Sequence, residues 1–468
     1  MSADRHPVLA RLLEATCPGR VVTPEQPYYD GLRLLFNGMH DRRPALICLP
    51  RSRGELRRVV RLAAQDGIPT AVRGGGHNVA GSGSVDGGLV IDLRLRGDVR
   101  VDPQRRLATV GGGATWAQFD LATSAYGLAT TGGTFDTTGV GGLTLGGGIG
   151  HLMGRYGLSC DNVESYSLVS ADGGHHRVSA GTDPELNWAL RGAGHNFGIV
   201  DSFTFRLHPV SHVYGGYVAY SGADLVEATR VFRDLMLQAP DDLTCTLLLE
   251  RYGPTQSPSA VISVAYCGDD TEYRATLEKN LRSLTVVDWQ VGWRTYVSMQ
   301  MCLGRLPFGL RHYWSARTVD DLPDGLAEAL AGRFLAGSCV DPFNDTVLIE
   351  PVHGAVRRVS PADSAVPFRT ARFNVTGMAI WTPAGADDEQ IAWARSVSAA
   401  AAPYGSGGDG YVNYVSDANY RDASAIADRA ARTYGAAAHS RLVALKRRMD
   451  PGNFFRSNYN LDPAAAAA

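Results

Sequence analysis

Apolar residues recur in this chain with two different periods, and the switch between them divides it. Residues 56–65 space their apolar positions helically beneath a basic face, and the pattern stops at Asp66-Gly67. Residues 68–72 and 88–93 are short apolar runs bounded by turns, which predicts buried strands, and 107–110 is a third. Residues 116–126 read as a helix stopped by Gly127. From about Val213 alternation takes over: 214–220, 243–250, 260–266, 346–349 and 373–380 each put every second side chain on one face. Helical stretches at 224–238 and 326–335 separate them. The pattern predicts an α+β protein of two domains, the second an antiparallel sheet with helices on one face. We expect a first domain over 1–211, a second over 212–404, and a segment, 405–468, that returns to the first. Ala464 to Ala468 is a low-complexity end.

A chain of 468 residues exceeds one ordinary core, in keeping with that division. Its formal charge of −2, with both signs mixed throughout, gives no electrostatic footprint for nucleic acid or anionic membrane. No run of about 18 apolar residues is present, so no membrane span is expected. Residues 1–20 lack a basic start followed by an apolar stretch, so a cytoplasmic location is expected. Seven cysteines, at 17, 48, 160, 245, 267, 302 and 339, are scattered and never spaced Cys-x-x-Cys. They read as reduced core residues, and no metal site is expected, since His151, His175 and His176 also lack ligand spacing. Nothing in the sequence signals an oligomeric state.

Glycine carries the chemistry. Arg73-Gly74-Gly75-Gly76-His77-Asn78 follows a predicted strand, and further clusters occur at 111–113, 139–148 and 192–198. Consecutive glycine amides can line an anion-binding concavity and approach a ligand closely. Four clusters in the first 200 residues therefore imply backbone wrapped around something large and phosphate-bearing. A dinucleotide fold of the Gly-x-Gly-x-x-Gly type is not the expectation. Twelve glycines between Gly127 and Gly157 satisfy almost any such pattern by chance, and Val79 to Ser84 keeps turning where a helix should open. Loop amides, without a helix dipole, are expected to hold the phosphates.

These residues resemble the family of flavin-linked oxidases that includes vanillyl-alcohol oxidase, p-cresol methylhydroxylase and berberine bridge enzyme. The likeness covers about 42–211 and 405–463. It rests on the loop at 73–81, Leu143-Thr-Leu-Gly-Gly-Gly148, Tyr156-Gly-Leu-Ser-Cys-Asp-Asn162, 188–200, and the tail 445–463, which is close to the nicotine-oxidase branch. The resemblance implies FAD bound covalently through His77. It also implies FAD contacts from Arg73, Gly74, Gly75, Gly76, Asn78 and Ser82, and from Gly133, Thr137, Thr138, Gly141, Gly142, Gly146 and Gly147. Asn162, Gly198, Val200, Asn413, Tyr459 and Asn460 complete the implied set. Chemistry favours the residue type at 77, because a neutral imidazole nitrogen is a nucleophile at neutral pH, and the link would tune the cofactor's redox behaviour. Some members carry a second, cysteinyl link. Phe135 stands at that position here, so a single link is expected, and Cys160 reads as core. Phe135 reads equally as a ring-edge contact and as a core aromatic.

Two segments are candidates for substrate chemistry, which needs a C–H bond aimed at the flavin and a base. Tyr411-Val412-Asn413-Tyr414 is similar to the family's Tyr-x-Asn-Tyr motif. Read as a strand, it puts Tyr411 and Asn413 on one face and makes Tyr411 the expected flavin-side tyrosine, with Tyr414 reaching in only through a bend. Glu350, at the end of the apolar run 347–349, matches an acidic pocket residue of the nicotine-oxidase branch, and the bland reading is a glutamate capping a strand. His353 reads equally as a base and as a polar strand residue. Arg357-Arg358 stands where the berberine-type glutamate would be, which argues against that ring closure. The expected activity is oxidation of an alcohol or amine carbon of a small, secondary-metabolite-like substrate, with O2 as acceptor and hydrogen peroxide as product. Two alternatives stay open: an oxygenase or oxidative cyclase acting on a polyketide or alkaloid-like intermediate, for which Trp289, Trp293, Tyr296, Tyr313, Trp314, Phe343 and Trp381 could stack a planar substrate, and a quinone-drug binding or reoxidising resistance protein.

Overall fold

Short apolar runs with no polar face must be covered on both sides, and the first sheet shows this. The computed structural model describes residues 6–337, 345–405, 410–416, 423–456 and 459–464, so Cys339 and Phe343 lie outside the described residues. Strands β1 (Val21–Val22), β2 (Leu46–Cys48), β3 (Thr70–Arg73) and β4 (Leu89–Asp92) form a sheet in the order β1-β2-β4-β3, with β2, β4 and β3 parallel. The helix Arg53–Asp66 covers it. Its cap is Ser52, whose hydroxyl accepts the Glu55 N–H, and it ends at Gly67 with φ +76°, a conformation glycine adopts without strain. Parallel pairing aims the carboxyl end of β3, and hence the loop beginning at Gly74, toward the middle of the molecule.

A second sheet of β5 (Val99–Asp102), β6 (Leu107–Gly111), β7 (Val163–Val169), β8 (His175–Val178) and β9 (Ile199–Arg206) is antiparallel in the order β5-β6-β9-β7-β8. Alternation did not predict β7, β8 or β9. Both faces of β7 and β9 carry buried residues, so no polar face marks them. The predicted helix at 116–126 is Trp116–Ser124, opened by a Thr115–Gln118 capping box.

The alternating second half forms an eight-stranded antiparallel sheet. Its strands are β10 (His212–Ser221), β11 (Leu243–Tyr252), β12 (Ser257–Tyr266), β13 (Val286–Trp289), β14 (Gly292–Thr295), β15 (Arg311–Val319), β16 (Thr346–Pro351) and β17 (Phe373–Trp381). The order is β13-β10-β12-β11-β16-β17-β15, and β14 also pairs with β10. Helices Leu225–Leu237, Asp324–Leu335 and Asp387–Ala401 bury one face around Phe232, Phe334 and Val397. The opposite face turns Thr246, Leu248, Leu348, Glu350, Met378 and Trp314 toward the glycine loops. Among the described residues no helix is long and apolar enough to cross a membrane.

The chain's end packs back on its beginning. Leu442, Leu445, Tyr459 and Leu461 share a core with Trp116, Phe203 and Phe205. Lys446, in the helix Ala436–Met449, is fully buried. Its ammonium donates to Asp450 Oδ2 at 2.6 Å, to the Asn196 carbonyl at 2.8 Å and to the Phe455 carbonyl at 2.9 Å. Asp450 in turn accepts from the Phe454 and Phe455 amides. Removing one member of such a pair strands a buried charge, at a cost of about 3–5 kcal/mol. Lys446→Ala should therefore lower the thermal midpoint by several degrees in a calorimetric scan, whereas the exposed Arg447→Ala should leave it nearly unchanged.

Candidate active site

Three glycine clusters meet backbone to backbone. A Cβ placed on Gly75 would lie 2.4 Å from the amide nitrogen of Gly139, and a Cβ on Gly139 would lie 2.4 Å from that of Gly75. A Cβ on Gly141 would stand 2.8 Å from the Gly112 carbonyl oxygen. No side chain fits between these strands of backbone. Residues 139–148 were expected as loop, but Val140–Leu145 forms a short helix after Gly139.

Two joined cavities open beside this contact. The smaller has Gly74, Ser82, Gly141, Gly142, Gly198 and Val200 in its walls. The larger lies between the glycine loops and the eight-stranded sheet. From the first loop it is lined by Arg73, Gly74, Gly75, Gly76, His77, Asn78 and Ser82, and from the second by Gly133, Phe135, Thr138 and Gly142. From the sheet and the tail come Glu350, Asn413 and Tyr414. Gly74, Ser82, Gly142 and His195 border both cavities. His195, which no motif argument selected, holds its Nε2 2.9 Å from the Gly142 carbonyl. Its place in the Gly-Ala-Gly-His-Asn cluster was the only available signal.

His77 is fixed by rings. It stacks on Phe36, with centroids 4.3 Å apart and planes 18° apart, and meets Phe308 edge-on at 5.1 Å. Its Nε2 is buried with no hydrogen-bond partner. Burial drives its pKa down to about 4, with the Asp136 carboxylate opposing, so the imidazole is neutral at pH 7. Arg73 is held through its guanidinium, which donates to the carbonyls of Leu32 and Leu34 beneath the loop.

Across the cavity, Glu350 is buried between two donors. Tyr414 O–H donates to Oε1 at 3.0 Å and Asn374 Nδ2 donates to Oε2 at 3.0 Å. Burial raises its pKa to about 7, against the pull of both hydrogen bonds. Burial, then the neighbouring carboxylate, raises the Tyr414 pKa well above the ordinary phenol value. Trp314 stands edge-on to Tyr414 at 5.1 Å, and Leu248, Leu348 and Met378 complete an apolar wall. Leu348 could have been found by stepping two residues back from Glu350 along the strand. Met378 offers no such signal.

Residues 411–414 are not a strand. Val412–Tyr414 is a 3₁₀ turn, closed by the Tyr414 N–H donating to the Tyr411 carbonyl at 2.9 Å. The turn reverses the expected facing. Tyr411 is fully buried outside the cavity wall, where its hydroxyl accepts from the Gly148 amide at 2.9 Å and from Asn413 Nδ2 at 2.6 Å. Tyr414 faces the cavity instead.

Other expected residues stand away from both cavities. Asn162 donates to the carbonyls of Tyr156 and Leu158. Tyr459 pairs its hydroxyl with Thr433 at 2.7 Å, and Asn460 keeps a buried, unpartnered Oδ1. Thr137 lies on the turn between Asp136 and Thr138 without bordering the cavity. Gly146 packs under Asn413, and Gly147, with φ +125°, lies against Tyr411 and Leu158. His353 falls beyond β16, close to Gly154 and in the field of Asp241. Cys160 lies in the core. Among the described residues no cluster of His, Cys, Asp or Glu could hold a metal ion.

The model of an FAD binding domain matches residues 44–179, and that of berberine and berberine-like proteins matches 410–462. The chain is 30% identical over 463 residues to (R)-6-hydroxynicotine oxidase of Paenarthrobacter nicotinovorans, covering 95% of this chain and 97% of that one. It is 28% identical to an FAD-linked oxidoreductase of Dictyostelium discoideum, over 90% of this chain and 89% of the relative. The crystal structure of 6-hydroxy-D-nicotine oxidase from Arthrobacter nicotinovorans superposes with TM-score 0.85 at 30% identity, covering 95% of this chain and 98% of that one. The fold is also that of the xylooligosaccharide oxidase of Myceliophthora thermophila, at TM-score 0.84 and 22% identity over 98% and 100% of the two chains. The chain therefore belongs to the FAD-linked oxidoreductases of the vanillyl-alcohol oxidase and berberine bridge enzyme type. It is an FAD-dependent oxidoreductase.

The walls fit that cofactor: two joined cavities, glycine backbone that admits close approach, and an uncommitted His77 nitrogen. Gly75→Ala forces the two loops apart and should yield protein with most of its FAD lost, read as the 450 nm to 280 nm absorbance ratio. Gly452→Ala, where a Cβ meets nothing, should retain it.

Proposed function

We propose that the protein is an oxidase that removes a hydride from an alcohol or amine carbon, with Glu350 and Tyr414 as its proton acceptor. The supporting observation is the 3.0 Å hydrogen bond from Tyr414 to a buried carboxylate in the wall facing His77. In this reading residues 1–211 and 405–468 hold FAD and 212–404 present the substrate. FAD, when bound, takes the hydride and passes its electrons to O2. His77 carries the single covalent link, since Phe135 leaves no thiol for a second. Gly74, Gly142 and Ser82, which border both cavities, serve the pyrophosphate.

The residues divide the proton work by their environments. Tyr414 remains a phenol at pH 7 because burial and the neighbouring carboxylate both disfavour the phenolate. Its oxygen accepts a proton from the substrate O–H or N–H while its own proton shifts to Glu350, so the carboxylate is the final acceptor. Only ionised Glu350 can do this, and its pKa is about 7. The apolar wall of Leu248, Leu348, Met378 and Trp314 excludes water from the transfer and suits a substrate with an apolar or aromatic body. Tyr411 is a strut: it holds Asn413 and the Gly148 amide, and takes no proton.

On a substrate found by screening amines and alcohols for peroxide release, kcat should rise with pH through about 7 and be lost below it, as Glu350 protonates. Glu350→Gln should flatten that limb, and a pH profile unchanged in this variant counts against the assignment. Tyr414→Phe should lower kcat by about 10²–10⁴-fold, with the flavin spectrum retained. Wild-type protein precipitated in acid should stay yellow, and His77→Ala should release its FAD. Free FAD in the wild-type supernatant would contradict the covalent link.

A further inference from the structure

The His77 imidazole faces a problem of orientation. Its buried Nε2 has no hydrogen-bond partner, so the ring's rotation is set by Phe36 beneath it and Phe308 at its edge. Phe36 belongs to a buried cluster. Phe308 is 44% exposed and sits on the irregular stretch 301–309 between the helix Tyr296–Gln300 and β15. Leu303 of this stretch lines the cavity, and Leu306 packs against the cluster containing Phe36.

Two glycines bracket its outer part. Gly304 has φ +78° and Gly309 φ +90°, and a Cβ on either would meet nothing, so conformation alone calls for glycine there. Backbone hydrogen bonds hold the ends: Gly304 N–H to the Met301 carbonyl, and Gly309 N–H to the Phe36 carbonyl at 3.0 Å. Between them the strongest tie is ionic. The Arg305 guanidinium forks onto both oxygens of Asp136, its Nε at 2.9 and 3.2 Å. Arg305 is 58% exposed and Asp136 only 5%. Asp136 is a fixed post, because its carbonyl accepts the Ala117 N–H at 2.7 Å at the start of the helix Trp116–Ser124. A bidentate fork on a buried, immobile carboxylate restrains a loop more than an ordinary surface pair does.

We propose that residues 303–308 are a strap that positions the His77 ring for attachment of FAD, latched by Arg305 on Asp136. The proposal rests on the reading that His77 carries the cofactor. In the attachment a C–N bond replaces one C–H of the 8α-carbon and the imidazole N–H, and two protons and an electron pair pass to O2, giving hydrogen peroxide. The strap touches no reacting atom. It holds the plane of the ring between Phe36 and Phe308, and Arg305 acts as a positioning residue through Phe308.

The test follows acid-stable flavin against time after FAD is added to protein produced under riboflavin starvation. Arg305→Ala and Phe308→Ala should each slow attachment at least about threefold, the scale of one modest interaction, and Arg305→Lys, which keeps the charge without the fork, should fall between. Thermal midpoint and the affinity for FAD before attachment should match wild type in Arg305→Ala, which a general loss of structure would not allow. Attachment at the wild-type rate in both alanine variants overturns the strap while leaving His77 as the linked residue. Absence of acid-stable flavin from wild type overturns the link, and the strap with it.

Discussion

Everything at the centre of this protein depends on two peptide backbones touching where side chains would ordinarily stand. Gly75 and Gly139 approach so closely that a methyl group on either would strike the other's amide. One loop leaves a parallel strand and the other opens a short helix, so the contact joins the first sheet to the connection between β6 and β7 of the second. The cavities beside it exist because the loops meet there. Glycine is thus a requirement of geometry at these positions, whereas at Gly142, where a Cβ would meet nothing, it leaves room in a wall shared by both cavities.

The site couples two desolvated titratable groups on opposite walls. Burial pushes His77 down and Glu350 up, so each is held closer to neutrality than it would be in water. A neutral imidazole suits a nucleophile, and a carboxyl poised near neutral pH suits a proton acceptor. Both properties come from the same dry environment. The neighbours then tune them: Asp136 resists the shift at His77, and the donors Tyr414 and Asn374 resist it at Glu350.

Much of this was legible in the sequence, for reasons that differ from part to part. The alternating strands are clear because one face of the large sheet meets helices and the other a cavity with polar members such as Thr246 and Glu350. Strand β15 was missed because Arg311, His312, Arg317 and Thr318 break its apolar alternation, yet His312 is fully buried. The glycine loops and His77 could be read because few other sequences make such backbone. The tyrosine pair could not be oriented, because a 3₁₀ turn and a strand differ in which of residues 411 and 414 faces the same way as the wall, and nothing in Tyr-Val-Asn-Tyr distinguishes them. Phe36 lies more than 200 residues before Phe308, so their meeting around His77 left no local trace.

The return of the tail has a consequence for the order of events in the cell. Leu442, Leu445, Tyr459 and Leu461 belong to the same core as Trp116 and Phe203, and Lys446 reaches the carbonyl of Asn196. A ribosome that has finished the first two hundred residues has made the glycine loops but not the residues that close the core behind them. That half must wait, partly assembled, through the synthesis of the whole eight-stranded sheet. The residues that close the core around the glycine loops are thus among the last that the ribosome delivers.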